Sequence, residues 1–190
     1  MPGKLDGKRV AILATDGFEE VELTEPKKAL EEAGARVEVV SPKSGQIQGM
    51  RHLEKGQGVK VDRELGQANP FDYDALMLPG GLANPDALRQ NEKALAFVRA
   101  FFEAAKPVAA ICHAPQVLIS ADLVRGRTMT SWAAVQKDLE NAGASVKDEP
   151  VVTDKGLVTS RKPDDIPQFN RKMIEEFAEG KHDAQRRSAA

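Results

Sequence analysis

The stretch KPVAAICHAPQVLISADL, residues 106–123, contains the only cysteine of the chain, Cys112. The apolar run VAAI before it is typical of a strand buried on both faces of a parallel sheet. The residues after it, HAPQVLISADL, predict a helix. The stretch therefore predicts a strand followed by a helix, with Cys112 in the turn between them.

The same alternation of strand and helix extends along the rest of the chain in both directions. It predicts an α/β fold with one doubly wound, mostly parallel sheet sandwiched by helices, together with a small β-hairpin. One domain over residues 8–180 is expected, with flexible termini at 1–7 and 181–190. The predicted strands are 8–15, 36–42, 59–62, 73–81, 106–111 and a hairpin over 150–160, and the predicted helices are 91–105, 113–123, 134–144, 163–180 and one that begins at 23–25, near Pro26, and ends at Gly34.

Composition excludes several classes of partner. The formal net charge is −2 over 190 residues, which indicates neither a nucleic acid nor an anionic membrane surface. The apolar run from Val10 to Ala14 is too short for a membrane span or the core of a signal peptide. A single cysteine cannot form an internal disulfide, which favours a reducing compartment. The expected location is cytoplasmic.

Three segments are predicted to end at the same edge of the sheet: Ala14 to Glu22, Leu78 to Gly81, and Ile111 to His113. Sites in doubly wound sheets form beyond the carboxyl ends of the strands, near a switch in strand order. This convergence is the first indication of where a functional site lies.

Two interpretations of Cys112 compete. A free cysteine at the end of a buried strand is often a small apolar core residue. Against this, a cysteine before a helix faces unpaired N–H groups and the positive end of the helix dipole, which favour the nucleophilic thiolate. The spacing Ala110-Ile111-Cys112-His113-Ala114 also matches a nucleophile elbow. His113 is the nearest candidate for proton transfer.

Two further motifs each allow a structural and a functional interpretation. Gly80 and Gly81 either form a simple turn or allow backbone N–H groups to approach a ligand, as in an oxyanion hole. Glu19, Glu20 and Glu22 are either solvated charges in the first turn of a helix or include one carboxylate that points toward the thiol.

Together these motifs resemble the PfpI branch of the ThiJ/PfpI superfamily, which includes the human parkinsonism-associated protein deglycase. The resemblance runs in order from about Arg9 to Phe177. It implies a flavodoxin-like sandwich and a homodimer, or a larger ring of dimers. The matching stretches are DGFEEVEL, LPGG, NEKALAFVRAFFEAAKPVAAICHAPQVLISADLVRGR, TSW and NAGASVKDEPVVTDKGLVTSR.

The resemblance also implies roles for individual residues. Cys112 and His113 match the nucleophile pair, and Glu22 matches the glutamate beside the thiol. Backbone groups of Gly80 and Gly81 match the oxyanion donors.

A third acid, which reaches the histidine from a neighbouring subunit in PfpI-type members, is best matched by Asp86. The segment after the glycines is one residue longer than in archaeal proteases, and an aspartate replaces the usual glutamate. Trp132 stands where relatives often have tyrosine, and Glu19 joins it as a pocket residue.

Three functions use the same thiolate, and they differ in how much they require of its neighbours. A glyoxalase or deglycase acting on small reactive dicarbonyls needs a thiolate and a base such as Glu22 or His113. A peptidase acting on peptides also needs an acid that orients the histidine, in this case Asp86. A stress sensor or chaperone needs only an accessible, oxidisable thiol. The sequence favours the dicarbonyl enzyme, then the peptidase, then the sensor, with no cofactor and no metal.

Overall fold

The computed structural model describes residues 3–188 as an α/β domain built on a seven-stranded sheet. The strands are β1 (Arg9–Leu13), β2 (Phe18–Glu19), β3 (Arg36–Ser41), β4 (Gln46–Arg51), β5 (Glu54–Lys60), β6 (Arg63–Glu64), β7 (Ala75–Leu78), β8 (Val108–Ile111), β9 (Thr128–Met129), β10 (Ser145–Val146), β11 (Val151–Asp154) and β12 (Leu157–Ser160). The helices are α1 (Glu20–Glu32), α2 (Ala83–Leu88), α3 (Glu92–Glu103), α4 (Pro115–Ser120), α5 (Ala133–Asn141) and α6 (Ile166–Glu179).

The sheet order is β11-β12-β8-β7-β1-β3-β6, and all its pairs are parallel except the β11–β12 hairpin. From β1 the chain goes first to β3 on one side and later to β7 on the other. The switch in strand order therefore lies between β1 and β7. This topology confirms the predicted doubly wound sheet and the hairpin over 150–160.

The apolar strands are buried on both faces, as their continuous hydrophobic runs predict. In β1, Ala11 and Leu13 belong to one hydrophobic core, whereas Val10 and Ile12 belong to the core on the opposite face. Side chains alternate across a strand, so one short run supplies both layers. The described residues include no helix long and apolar enough to cross a membrane.

The first helix begins earlier than predicted. α1 starts at Glu20, directly after β2, so Pro26 lies inside the helix and not near its first turn. The strand at Phe18–Glu19 pairs with β4 and fixes the chain immediately before the helix. Burial of Glu22 then holds the first turn in place. Proline favours the first turn of a helix, which predicts a start close to Pro26. The pairing of β2 with β4 instead lets α1 begin at Glu20.

The predicted short strand at 59–62 is part of a longer hairpin. β5 covers Glu54–Lys60 and pairs antiparallel with β4. Its turn residues, His52 and Leu53, are exposed, and His52 has a φ of 57°. Together with β2, these strands form a small second sheet beside the edge where the main strands end.

Both ends of the chain pack on the domain within the residues that the structure describes. Leu5 is fully buried, and its N–H donates to Ala33 O at 2.8 Å. At the other end, Asp183–Ser188 form a 3-10 helix, and Gln185 is fully buried. Gln185 bonds to the guanidinium of Arg127, a polar partner that composition alone does not reveal. Residues 1–2 and 189–190 of the predicted termini lie outside the described part.

Candidate active site

Three turns meet at the carboxyl ends of β1, β7 and β8, the edge predicted to carry a site. They surround a pocket of about 190 Å³ that contains the Cys112 thiol. The β4–β5 hairpin turn closes one side of this pocket. The lining residues are Glu19, Glu22, His52, Leu53, Gly81, Leu82, Cys112, His113, Trp132 and Pro163.

Cys112 adopts the backbone geometry of a nucleophile elbow. Its φ is 64°, in the left-handed region that non-glycine residues rarely occupy. Two hydrogen bonds hold this conformation: its N–H donates to Ser160 O at 3.0 Å, and its carbonyl accepts from the Trp132 N–H at 2.9 Å. Strained backbone of this kind costs on the order of 1–3 kcal/mol and concentrates at functional sites. The elbow lifts the sulfur into the pocket.

The buried acid beside the thiol is Glu22. Its side chain is fully buried, and Oε2 accepts a 2.9 Å hydrogen bond from the Gly80 N–H. The other oxygen, Oε1, is buried with no hydrogen-bond partner among residues 3–188. Burial raises the pKa of Glu22 to about 8, and this effect outweighs the interaction with Cys112, which lowers it. The carboxyl is therefore mostly protonated at neutral pH.

The ionisation of Cys112 is coupled to that of Glu22. Burial raises the pKa of the Cys112 thiol, and a charged Glu22 carboxylate raises it further. The backbone N–H groups of His113 and Gly81 act in the opposite direction. When Glu22 keeps its proton, its repulsion disappears and its O–H can donate to the sulfur. The thiolate is therefore less strongly disfavoured while Glu22 is protonated, and the two groups titrate as a pair.

The backbone donors differ from the sequence prediction in one respect. The N–H of Gly80 is occupied by Glu22, so Gly80 does not serve as an oxyanion donor as expected. The N–H groups that act on the sulfur are those of Gly81 and His113. The helix after Cys112 is also shorter than the predicted 113–123, since α4 spans only Pro115–Ser120.

Both glycines are required by close packing. A Cβ on Gly80 would stand 2.5 Å from Glu22 Oε2 and 2.8 Å from the Cβ of Cys112. A Cβ on Gly81, whose φ is 87°, would lie 2.4 Å from Gly17 O. Glycine at these positions lets the acid, the thiol and the first turn approach one another.

His113 lies within reach of the thiol. Its Nδ1 is 3.2 Å from Cys112 Sγ, and its ring stacks on Trp132 with a centroid separation of 5.6 Å. Burial lowers the pKa of His113, which keeps the imidazole neutral at neutral pH. A neutral imidazole can accept the thiol proton. The predicted pocket residue Trp132 thus supports the ring of His113.

The predicted third acid, Asp86, does not reach His113 within this chain. It is exposed in the first turn of α2, and the nearest recorded partner of its carboxylate is Gln90 Nε2 at 3.5 Å. No hydrogen bond joins Asp86 to His113 in residues 3–188. Asp86, His113 and Asp138 nevertheless line one shallow groove beside the pocket.

Sequence reasoning missed the contribution of the hairpin turn. The backbone N–H of His52 donates to the Glu19 carboxylate, at 3.1 Å from Oε2. Glu20 binds Arg51 at 3.1 Å and accepts from the Gln57 N–H. Two of the three clustered acids therefore fasten the hairpin over the pocket, and only Glu22 turns inward. The sequence carries no local signal for this contact, because the pairing of Phe18–Glu19 with β4 joins residues 31 positions apart.

Comparisons with known proteins identify the family and the fold. The DJ-1/PfpI family model matches residues 8–176. A Bacillus subtilis (strain 168) relative named "Putative cysteine protease YraA" is 46% identical over 167 residues, which cover 88% of this chain and 96% of the relative. "Protein/nucleic acid deglycase 2" of Escherichia coli (strain K12) is 44% identical over 170 residues, 88% of this chain and 96% of that protein. The crystal structure of Drosophila melanogaster DJ-1beta superposes with a TM-score of 0.83 at 28% identity, covering 96% of this chain and 95% of that one.

Proposed function

The chain belongs to the DJ-1/PfpI family, and from this premise we propose that it is a stress-protective, cysteine-dependent enzyme acting on reactive dicarbonyls or their protein adducts. The observation that carries the proposal is the buried Glu22 carboxyl held beside the Cys112 thiol. With a pKa of about 8, this carboxyl can give and take a proton near neutral pH. Such a group suits proton transfer at the carbon of a bound carbonyl compound.

The chemistry can be written for methylglyoxal, the simplest test substrate. His113 accepts the thiol proton as Cys112 Sγ adds to the aldehyde carbon. The new alkoxide takes its proton from the Glu22 carboxyl, which gives a hemithioacetal and leaves Glu22 as the carboxylate base for the next step. The backbone N–H groups of Gly81 and His113 stabilise the negative charge that develops on the former aldehyde oxygen. The pocket is small enough to hold a compound of a few carbon atoms.

Proton transfer then completes the reaction. A base removes the hydrogen from the former aldehyde carbon, and the resulting enediol is protonated at the neighbouring carbon. This yields a thioester of lactate on Cys112. Water hydrolyses the thioester and releases lactate and the free thiol. Glu22 Oε1, which has no hydrogen-bond partner in residues 3–188, is the group we assign to the two carbon proton transfers.

A peptidase is the second candidate, and the groove beside His113 favours it. Asp86 and Asp138 both line this groove. A second copy of the chain that docked there could complete or reorient a Cys-His-acid triad. Within a single chain, His113 is supported by the ring of Trp132 rather than by a carboxylate. Amide hydrolysis requires the imidazolium to protonate a leaving amine, and an orienting acid favours that step. We therefore rank peptidase second.

The deciding experiment compares the wild type with Cys112→Ala for methylglyoxal consumption and lactate formation. We expect turnover in the wild type, a loss of at least about 10³-fold in the alanine variant because the covalent step is removed, and normal turnover in the matched control Ser120→Ala. A fluorogenic peptide is tested in parallel on the same proteins. Peptide cleavage without lactate formation would reject the dicarbonyl function in favour of the peptidase, and no turnover of either substrate would reject both enzymes.

A further inference from the structure

A second cluster of potential ligands lies at the C-terminal end of α6, away from the Cys112 pocket. Glu176 and Glu179 lie on the last turn of the helix, and His182 follows two residues after Gly180. Their ligand atoms all lie within 4.8 Å of one another. None of the three residues lines the pocket of Cys112. We propose that this cluster binds a zinc ion that fastens the C-terminal segment to α6.

The distances are close to those of a tetrahedral site. Nε2 of His182 is 3.3 Å from Glu176 Oε2 and 3.9 Å from Glu179 Oε2. Zinc binds imidazole nitrogen and carboxylate oxygen at about 2.0–2.2 Å, which places neighbouring tetrahedral ligands about 3.4 Å apart. Small rotations of the two carboxylates would bring all three side chains within bonding distance of one zinc ion. Water would occupy the fourth position.

One ligand atom of the cluster lacks a hydrogen-bond partner. Nε2 of His182 is buried and makes no hydrogen bond within residues 3–188, although Glu176 Oε2 lies 3.3 Å away. The Glu176 side chain is only 7% exposed, and Lys172 Nζ lies 3.7 Å from its Oε1. Burying polar groups without good partners is costly. A metal ion between the two side chains would bind both of them.

The surrounding charges also favour a cation. Both carboxylates lie at the C-terminal end of a helix, where the helix dipole attracts positive charge and disfavours acids. Lys172 supplies one cation, but its Nζ lies 3.7 Å from Oε1 of Glu176 and 3.0 Å from Oε2 of Glu175. The oxygen of Glu176 that faces His182 is therefore left for another positive partner.

The histidine is held in place from two sides. Its backbone N–H donates to Ala105 O at 2.8 Å. Its ring packs on Gly156, where an added Cβ would come within 2.8 Å of the ring. A fixed ring lowers the entropy lost on metal binding. An ion at this point would tie residues 181–188, including the buried Gln185, to α6.

The test is a zinc titration by isothermal calorimetry in the Cys112→Ala background, which removes the thiol as a competing ligand. We expect one Zn²⁺ per chain. His182→Ala and the more exposed Glu179→Gln should each weaken binding at least about tenfold, since each removes a ligand. Glu175→Gln, an adjacent acid outside the cluster, should bind zinc within about twofold of the parent.

A second measurement guards against variants that fold poorly. Saturating zinc should raise the thermal midpoint of the Cys112→Ala protein by about 5 °C or more, and this shift should disappear in Glu179→Gln. Binding that persists unchanged in both His182→Ala and Glu179→Gln would overturn the proposal. So would the absence of binding in the parent at millimolar zinc, which would leave His182 and Glu176 as a simple ion pair.

Discussion

The backbone N–H of Gly80 donates a 2.9 Å hydrogen bond to the buried carboxyl of Glu22, across 58 residues of sequence. This bond joins the turn after β7 to the first turn of α1. It places Glu22 against the Cys112 thiol and leaves Gly81 and His113 as the backbone donors to the sulfur. The predictions below follow from this contact and from its neighbours.

Replacing Gly80 by alanine should disrupt the site. The new methyl group would meet Glu22 Oε2, the Cβ of Cys112 and Ile111 O, all within 3 Å. Overpacking of this kind costs about 1–3 kcal/mol of unfolding free energy, and we expect at least about tenfold lower activity. Chemical denaturation and the lactate assay measure the two effects. Gly66→Ala is the matched control, because nothing lies within 4 Å of its added Cβ. Equal behaviour of the two variants would contradict the packing argument.

The stability of the protein should depend on Glu22 between pH 4.5 and 8. In this range the folded protein keeps a carboxyl proton that the unfolded chain has lost, because the folded pKa is raised from 4.5 to about 8. The free energy of unfolding should therefore fall as the pH rises, by up to about 1.4 kcal/mol per pH unit.

Glu22→Gln removes that titration. As the pH increases from 5 to 8, the wild type should lose stability relative to Glu22→Gln, so the unfolding free energy of the variant should rise relative to that of the wild type. Urea unfolding at several pH values measures this difference, with the exposed Glu32→Gln as the control. A difference that stays constant with pH would show that the Glu22 pKa is not raised.

Thiol reactivity should depend on a neutral hydrogen-bond donor at position 22. Glu22→Gln keeps such a donor, whereas Glu22→Ala removes it and leaves the thiolate less stabilised. A hydrogen bond to a charged group contributes about 1.5–3 kcal/mol. We expect Glu22→Ala to be alkylated by iodoacetamide at pH 7 about tenfold more slowly than Glu22→Gln. Mass spectrometry of Cys112 gives both rates. Similar rates in the two variants would argue against donation from Glu22 to sulfur.

Asp86 separates the two candidate enzymes. The dicarbonyl mechanism uses no group on α2, so Asp86→Asn should keep lactate formation within about twofold of the wild type. A peptidase whose triad is completed across a subunit interface should lose peptide cleavage by at least about tenfold in the same variant. Asp72→Asn, an exposed acid outside this groove, serves as the control. Strong loss of lactate formation in Asp86→Asn would require a different assignment of the proton-transfer groups.

The C-terminal segment should contribute to stability through Gln185. Its amide accepts from Arg127 Nη1 at 3.1 Å and donates to Lys106 O at 2.6 Å, and both contacts are buried. Gln185→Ala leaves these groups unpaired, at a cost of about 1–3 kcal/mol. Urea unfolding should show this loss, whereas the exposed Gln90→Ala should change stability by less than about 0.5 kcal/mol. An unchanged Gln185→Ala would mean that residues 183–188 detach readily from the domain.

The fold class could be predicted from the amino-acid sequence, because hydrophobic periodicity is a local property. The runs VAIL (10–13) and VAAI (108–111) are apolar at every position, and only strands covered on both faces bury such runs completely. The position of Cys112 between a strand and a helix was equally visible. The ends of helices and strands that depend on distant contacts could not be predicted in this way. Pro26 suggested a late helix start, but β2 pairs with β4 and begins α1 at Glu20.

Which acid faces the thiol, and which glycine binds that acid, depends on contacts between segments that are distant in sequence. Glu19, Glu20 and Glu22 are nearly equivalent in sequence, and the inward role of Glu22 was implied by family resemblance alone. In the fold, hairpin contacts occupy the first two, while Gly80 and Cys112 enclose the third. Burial and charge from several distant segments set a pKa together, so no short stretch of sequence encodes it. The same reason explains why Glu176, Glu179 and His182 form a cluster that only the folded chain reveals.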